Sequence, residues 1–208
     1  MHLLSYLHDP EEPDLRGTLR ATREDRNTRA RRMVDLLAAD TGLTWAEVEA
    51  QVASGAAVGR PHIADALVAR GLVGSRDEAF ATLLHRTSRY YVPHGAPQVG
   101  DALQMVLRAG GVPVLAHPLA AQRGRVLPEE AIGELARAGL RGIEADHPDH
   151  TPEQRDRVRR LAAEHELFWT GSSDYHGAAR HYRIGECTTP DAAVEAVLAA
   201  GRGSAAST

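Results

Sequence analysis

Three short apolar runs, Val112–Ala116, Gly142–Asp146 and 167–171, alternate with helical patterns through the second half of the chain. The helical stretches cover 99–109, 128–138 and about 152–166. Gly110 and Gly111 stop the first and Gly139 the second, because glycine accepts the left-handed conformation that closes a helix. Thr151-Pro152-Glu153 opens the third, with proline at the first helical position, where an N–H would have no helical partner. Near-continuous apolar strands, each reached through a helix, are the pattern of parallel strands covered on both faces. The fold class this implies is α/β. A last helix is expected over 191–200, and 201–208 is expected to be a disordered tail.

Each apolar run ends in polar residues, and barrels of parallel strands build their sites at those C-terminal ends. The first runs into His117-Pro118; the third runs into Ser172-Ser173-Asp174-Tyr175-His176-Gly177. Residues two apart in an extended strand share a face, so Asp174 and His176 would project together. A carboxylate beside an imidazole suits a divalent ion such as Mn, Fe or Zn. A polar loop explains Asp-x-His better when the motif stands alone; His117 at a second strand tip adds weight to the metal reading. At the middle strand, Glu144 and Asp146 read as supporting or structural groups. The histidines of Asp146-His147-Pro148-Asp149-His150 read as exposed loop polars, with metal ligation the alternative.

Five segments together resemble the PHP (polymerase and histidinol phosphatase) metal-dependent phosphoesterases. They are Met1-His2-Leu3-Leu4-Ser5-Tyr6, Gly59-Arg60-Pro61-His62-Ile63-Ala64, Leu115-Ala116-His117-Pro118, Gly142-Ile143-Glu144-Ala145-Asp146-His147-Pro148 and Gly171-Ser172-Ser173-Asp174-Tyr175-His176-Gly177. They occur in family order and carry the resemblance to about Gly185. The chain is most similar to the subgroup with a helical insertion, which includes nucleotide phosphatases and a bisphosphate nucleotidase/exoribonuclease. The resemblance implies a partial, distorted β/α barrel over residues 1–200, with a helix-rich insertion at about 10–92. It implies His2, His117, Asp174 and His176 as metal ligands, with no catalytic group beyond them. The ions would be Mn, Fe or Zn, up to three in complete members. The implied activity is hydrolysis of a phosphate ester of a nucleotide or short oligonucleotide. Family members open with a His-x-His strand, then an Asp, a Thr-Asp-His segment and a Gly-x-Glu segment, all ahead of the portion that His2 begins, and the resemblance gives them no counterpart in these 208 residues. One carboxylate among four ligands offsets several divalent charges poorly, so little turnover is expected of this chain. The alternative is a non-catalytic phosphate- or nucleotide-binding remnant. A metal-dependent amidohydrolase would want a lysine carbamate or more histidines, and all 24 basic residues here are arginine.

Residues 2–7 read as a strand, and 14–40 as a helix with seven arginines between Arg16 and Arg32. Arg16, Arg20 and Arg23 share a helix face. Such a stripe attracts a phosphate backbone, but Glu24 and Asp25 interleave it as they would a solvated face. Thr44 and Glu47 have capping-box spacing, for a helix to about Ala53. Ser75 opens another helix to about His85. Between them, Pro61 starts a helix whose first-turn N–H groups favour an anion, so Arg60 and His62 are candidates to grip a substrate phosphate. A net charge of −4 gives no reason to expect membrane or stable nucleic-acid duplex binding. Cys187, the single cysteine, has no intrachain disulfide partner. No run approaches the about 18–20 apolar residues of a membrane span. A cytoplasmic protein acting on a phosphorylated small molecule is the expectation.

Overall fold

The computed structural model describes residues 1–53, 56–93, 95–121, 126–175 and 182–203. The predicted ligand His176, the loop arginines Arg123 and Arg125, and 204–208 of the expected tail lie outside the described residues. The elements in chain order are β1 (His2–Tyr6), α1 (Pro13–Thr41), α2 (Trp45–Glu49), α3 (Arg60–Ala69), α4 (Arg76–Ala81), α5 (Val99–Arg108), β2 (Val112–Ala116), α6 (Glu129–Arg137), β3 (Gly142–Asp146), α7 (Pro152–Glu164), β4 (Phe168–Gly171) and α8 (Asp191–Ala200). Backbone packing divides the chain into two compact units, Met1–Arg16 with Pro97–Thr208, and Gly17–Ala96.

The first unit is built on a four-stranded sheet of order β1-β2-β3-β4. The three strands read from the helix–strand alternation are parallel, as expected. β1 is antiparallel to β2, with His2 opposite Ala116 and Tyr6 opposite Val112, so the sheet is mixed. This register sets His2 at the edge of the sheet where β2 delivers His117. Leu115, Ile143 and Ala145 join Leu103 of α5, Ile132 of α6, and Val158 and Leu161 of α7 in one buried core. The alternate residues Val114, Glu144 and Thr170 face the other side, and they too are buried. Gly110 and Gly139 have φ of +69° and +110°, the conformation their helix-stopping role demands.

The second unit is helical around Met33, Leu37, Leu43, Ile63, Leu67 and Leu84. Thr44 and Glu47 form the capping box: Glu47 N–H donates to Thr44 Oγ1 at 3.4 Å, and Thr44 N–H donates to Glu47 Oε2 at 2.7 Å. Two helices end earlier than their sequence patterns suggest. After α2 the chain tightens into three-residue turns, Gln51 N–H to Val48 O and Val52 N–H to Glu49 O. After α4, Thr82 leaves helical geometry while its hydroxyl donates to Glu78 O at 2.6 Å, a local bond that competes with continuation of the helix. Among the described residues, no helix is long and apolar enough to cross a membrane.

Candidate metal centre

The antiparallel pairing of β1 with β2 brings His2 Nδ1 to 3.2 Å from His117 Nε2, the rings meeting edge-on with centroids 5.1 Å apart. A tetrahedral ion with metal–nitrogen bonds of about 2.0–2.1 Å holds two donors about 3.4 Å apart. The pair therefore has the spacing of two ligands to one ion, as well as that of a hydrogen bond between neutral rings.

His117 and Asp174 both have positive φ, +29° and +47°. For a non-glycine residue this costs on the order of 1–2 kcal/mol, and it persists where the surroundings over-determine it, often at functional sites. At His117 one cause is visible: its N–H donates to Glu144 Oε2 at 2.9 Å, from the adjacent strand, and both residues are buried. At Asp174 the N–H donates to Ser172 Oγ at 3.2 Å. The Glu144 carboxylate also acts on Tyr6, whose hydroxyl pKa is pushed up first by burial and then by that charge.

His147 lies between these groups. Its ring centroid is 4.9 Å from that of His117, and its Nε2 is 3.8 Å from Asp174 Oδ2. The expectation of exposed loop polars is corrected here: His147 is 0% and His150 3% exposed. The loop from β3 to the Thr151 cap of α7 is too short to carry its side chains away from the strand tip. Both rings are also held by backbone groups. Asp149 N–H donates to His147 Nδ1 at 3.0 Å. His150 Nδ1 donates to Ala145 O at 2.8 Å, and its Nε2 accepts from Leu119 N–H at 3.3 Å. Burial lowers the His150 pKa, keeping that ring neutral. Asp146 is taken up by Arg159, at 2.5 Å, whose guanidinium lies over Trp169.

His117 and Asp174 thus both neighbour one buried imidazole that sequence reasoning set aside, with His2 joined to His117, and His176 follows Asp174 outside the described residues. Among the described residues, no three His, Cys, Asp or Glu side chains close into a finished cage. The donor chemistry, imidazole nitrogen with carboxylate oxygen, fits a divalent metal ion.

Arg60 and His62 occupy the first turn of α3 in the second unit. His62 Nδ1 accepts the Gly59 N–H at 3.1 Å, closing the helix cap. The Arg60 guanidinium lies over Phe80 and Tyr91, at 5.3 and 5.7 Å, and donates to Leu84 O at 3.4 Å. Arg29 lies over the same Tyr91 ring at 5.2 Å. Burial, then the nearby Arg29 charge, pushes the Arg60 pKa below the ordinary guanidinium value, with Arg86 adding to the effect.

No family model matches the chain. It is similar to a 3',5'-nucleoside bisphosphate phosphatase of Chromobacterium violaceum, 31% identical over 183 residues, which are 85% of this chain and 62% of the relative. It is also similar to the 5'-3' exoribonuclease Rnm of Salmonella typhimurium, 27% identical over 95% of this chain and 67% of the relative. The chain thus spans about two thirds of the length of these relatives. A crystal structure from Bifidobacterium adolescentis, assigned as a metal-dependent phosphoesterase, superposes with a TM-score of 0.91 at 40% identity, over 97% of this chain and 71% of that one. At 40% identity to a structure of which it covers 71%, the chain belongs to the PHP-type metal-dependent phosphoesterases.

Proposed function

We propose that His2, His117 and Asp174, with His176, hold a divalent ion, Mn, Fe or Zn, in a centre that hydrolyses a phosphate ester of a nucleotide or short oligonucleotide. The observation that carries this reading is the His2–His117 pair at 3.2 Å, with Asp174 reached from it through His147, whose ring lies against His117 and whose Nε2 is 3.8 Å from Asp174 Oδ2. When bound, the metal supplies Lewis-acid polarisation of a phosphoryl oxygen and an activated water. The chain's own part is to present neutral imidazole nitrogens, to offset charge with Asp174, and to hold the His117 tip through Glu144. In this reading the mixed sheet is part of a distorted β/α barrel, and the helices within about 10–92 are its insertion.

The relatives' names support this substrate class, one a nucleoside bisphosphate phosphatase and one a 5'-3' exoribonuclease. Arg60 and His62 are the proposed phosphate grip. Two guanidiniums on one aromatic ring repel each other, and an anion between them would relieve that repulsion. Four donors with a single carboxylate suit one firmly held ion better than several.

Calorimetric titration of the chain with Mn2+ tests the reading, followed by phosphate release from a nucleoside 3',5'-bisphosphate. Binding of about one ion, weakened at least tenfold in His117→Ala, supports it. Equal binding by the two proteins contradicts it. Metal binding with no phosphate release would assign this chain to the non-catalytic, phosphate-binding alternative.

A further inference from the structure

His147 is the tempting extra ligand: a fully buried imidazole between His117 and Asp174. Its hydrogen bonding argues for a different role. We propose that His147 serves the site as an Nε2–H donor that positions the Asp174 carboxylate, and that it does not ligate metal. The inference rests on the metal-centre reading above.

A ring nitrogen that accepts a backbone N–H, as His147 Nδ1 does from Asp149 at 3.0 Å, carries no proton of its own. A neutral imidazole has one N–H, so the proton is on Nε2. The doubly protonated ring is excluded as well, because two N–H groups would then point at each other. An Nε2 that carries its proton has no lone pair for a metal. Ligating histidines ordinarily show the opposite polarity: the distal nitrogen donates to a carbonyl or carboxylate, leaving the other nitrogen bare. The Asp149 carboxylate could have played that part, with Oδ2 4.0 Å from His147 Nδ1. Its other oxygen instead accepts the Tyr182 hydroxyl, and the backbone N–H of the same residue takes the ring.

The ring is also held in place. The His147 carbonyl accepts from His150 N–H at 3.0 Å and from Arg155 Nη2 at 3.0 Å. From this fixed backbone, Nε2 faces Asp174 Oδ2 at 3.8 Å. An approach of about 1 Å would give a charge-assisted N–H···O bond of about 2.7–2.9 Å. Asp174 has a positive φ and a partly exposed side chain. A donor on one carboxylate oxygen selects which oxygen is left to face the ion.

The tautomer is directly measurable. Long-range 1H–15N spectra of the histidine rings, recorded on the full chain with and without Zn2+, report which nitrogen of each ring bears the proton. The expected result is an Nε2–H tautomer for His147 in both spectra, while the His2 and His117 nitrogens shift on adding Zn2+. Loss of the Nε2 proton from His147 on adding Zn2+ overturns the inference and leaves the metal reading standing. If no ring responds to Zn2+, the metal reading itself fails.

Two variants give an independent check by Zn2+ titration. Gln keeps an N–H donor near the Nε2 position, so His147→Gln should bind within about threefold of the parent. His147→Phe, which has no donor, should bind at least tenfold more weakly. Equal losses in both variants also overturn the positioning role. Should the phenylalanine variant fail to fold, the parent's spectra still decide.

Discussion

Replacing Glu144 separates two things its carboxylate does: it accepts the His117 N–H at 2.9 Å, and it places a charge in a buried position, the residue being 3% exposed. Glu144→Gln keeps an acceptor and removes the charge; Glu144→Leu removes both at similar volume. The pair of variants therefore isolates the hydrogen bond. Leaving a buried N–H without an acceptor costs about 1–3 kcal/mol, and the His117 backbone at φ +29° would lose the bond that holds it there. Glu144→Leu should be less stable than Glu144→Gln by about 2 kcal/mol. With a urea dependence of about 1–3 kcal/mol per molar, that is a midpoint difference of about 1 M. Tyr6 gives a second readout, since both variants remove the smaller cause of its raised pKa and should lower it towards the ordinary phenol value. Superimposable urea curves for the two variants would refute the claim that this bond holds the strand tip.

Three further outcomes follow from named contacts. A Cβ on Gly142 would lie 2.7 Å from Phe168 Cδ2 and closer still to Cε2. Gly142→Ala should thus cost about 1–3 kcal/mol by overpacking, seen as a lower Tm and partly recovered in Gly142→Ala/Phe168→Leu. Burial pushes the Cys187 thiol pKa up, which depletes the reactive thiolate. Labelling of the native chain by iodoacetamide at neutral pH should be slow and should accelerate in urea; equal rates in both would contradict the burial. Arg60→Ala should weaken binding of a nucleoside 3',5'-bisphosphate at least tenfold, with Arg60→Lys intermediate because it keeps the charge without the planar fork. An unchanged Kd in equilibrium dialysis would remove Arg60 from the phosphate grip.

The legible parts of this chain are those where one residue type has one physical use. Gly110, Gly139 and Pro152 mark helix ends because the backbone there demands them, and β2, β3 and β4 follow from uninterrupted apolar runs. The direction of β1 was not legible, since alternation identifies a strand but says nothing of the neighbour it pairs with. The early ends of α2 and α4 depend on turn bonds that local propensity does not encode. The positive φ of His117 and Asp174 runs against the propensity of their residue types. The burial of His147 and His150 was hidden for a related reason. Polar letters in a loop suggest solvent, yet these rings are held by the backbone of Asp149, Ala145 and Leu119. The resemblance to a family named His2 and His117 as candidates, but the burial of the His147 ring between His117 and Asp174 emerged only from the fold.

The most direct test of the metal centre is crystallographic: crystals of the chain grown with Zn2+, measured on either side of the zinc absorption edge. The account predicts an anomalous peak about 2.0–2.2 Å from His2 Nδ1, His117 Nε2 and an Asp174 carboxylate oxygen, with His147 Nε2 outside bonding distance. No peak at these strand tips, or zinc bound elsewhere with His2 and His117 still joined only to each other, would contradict it.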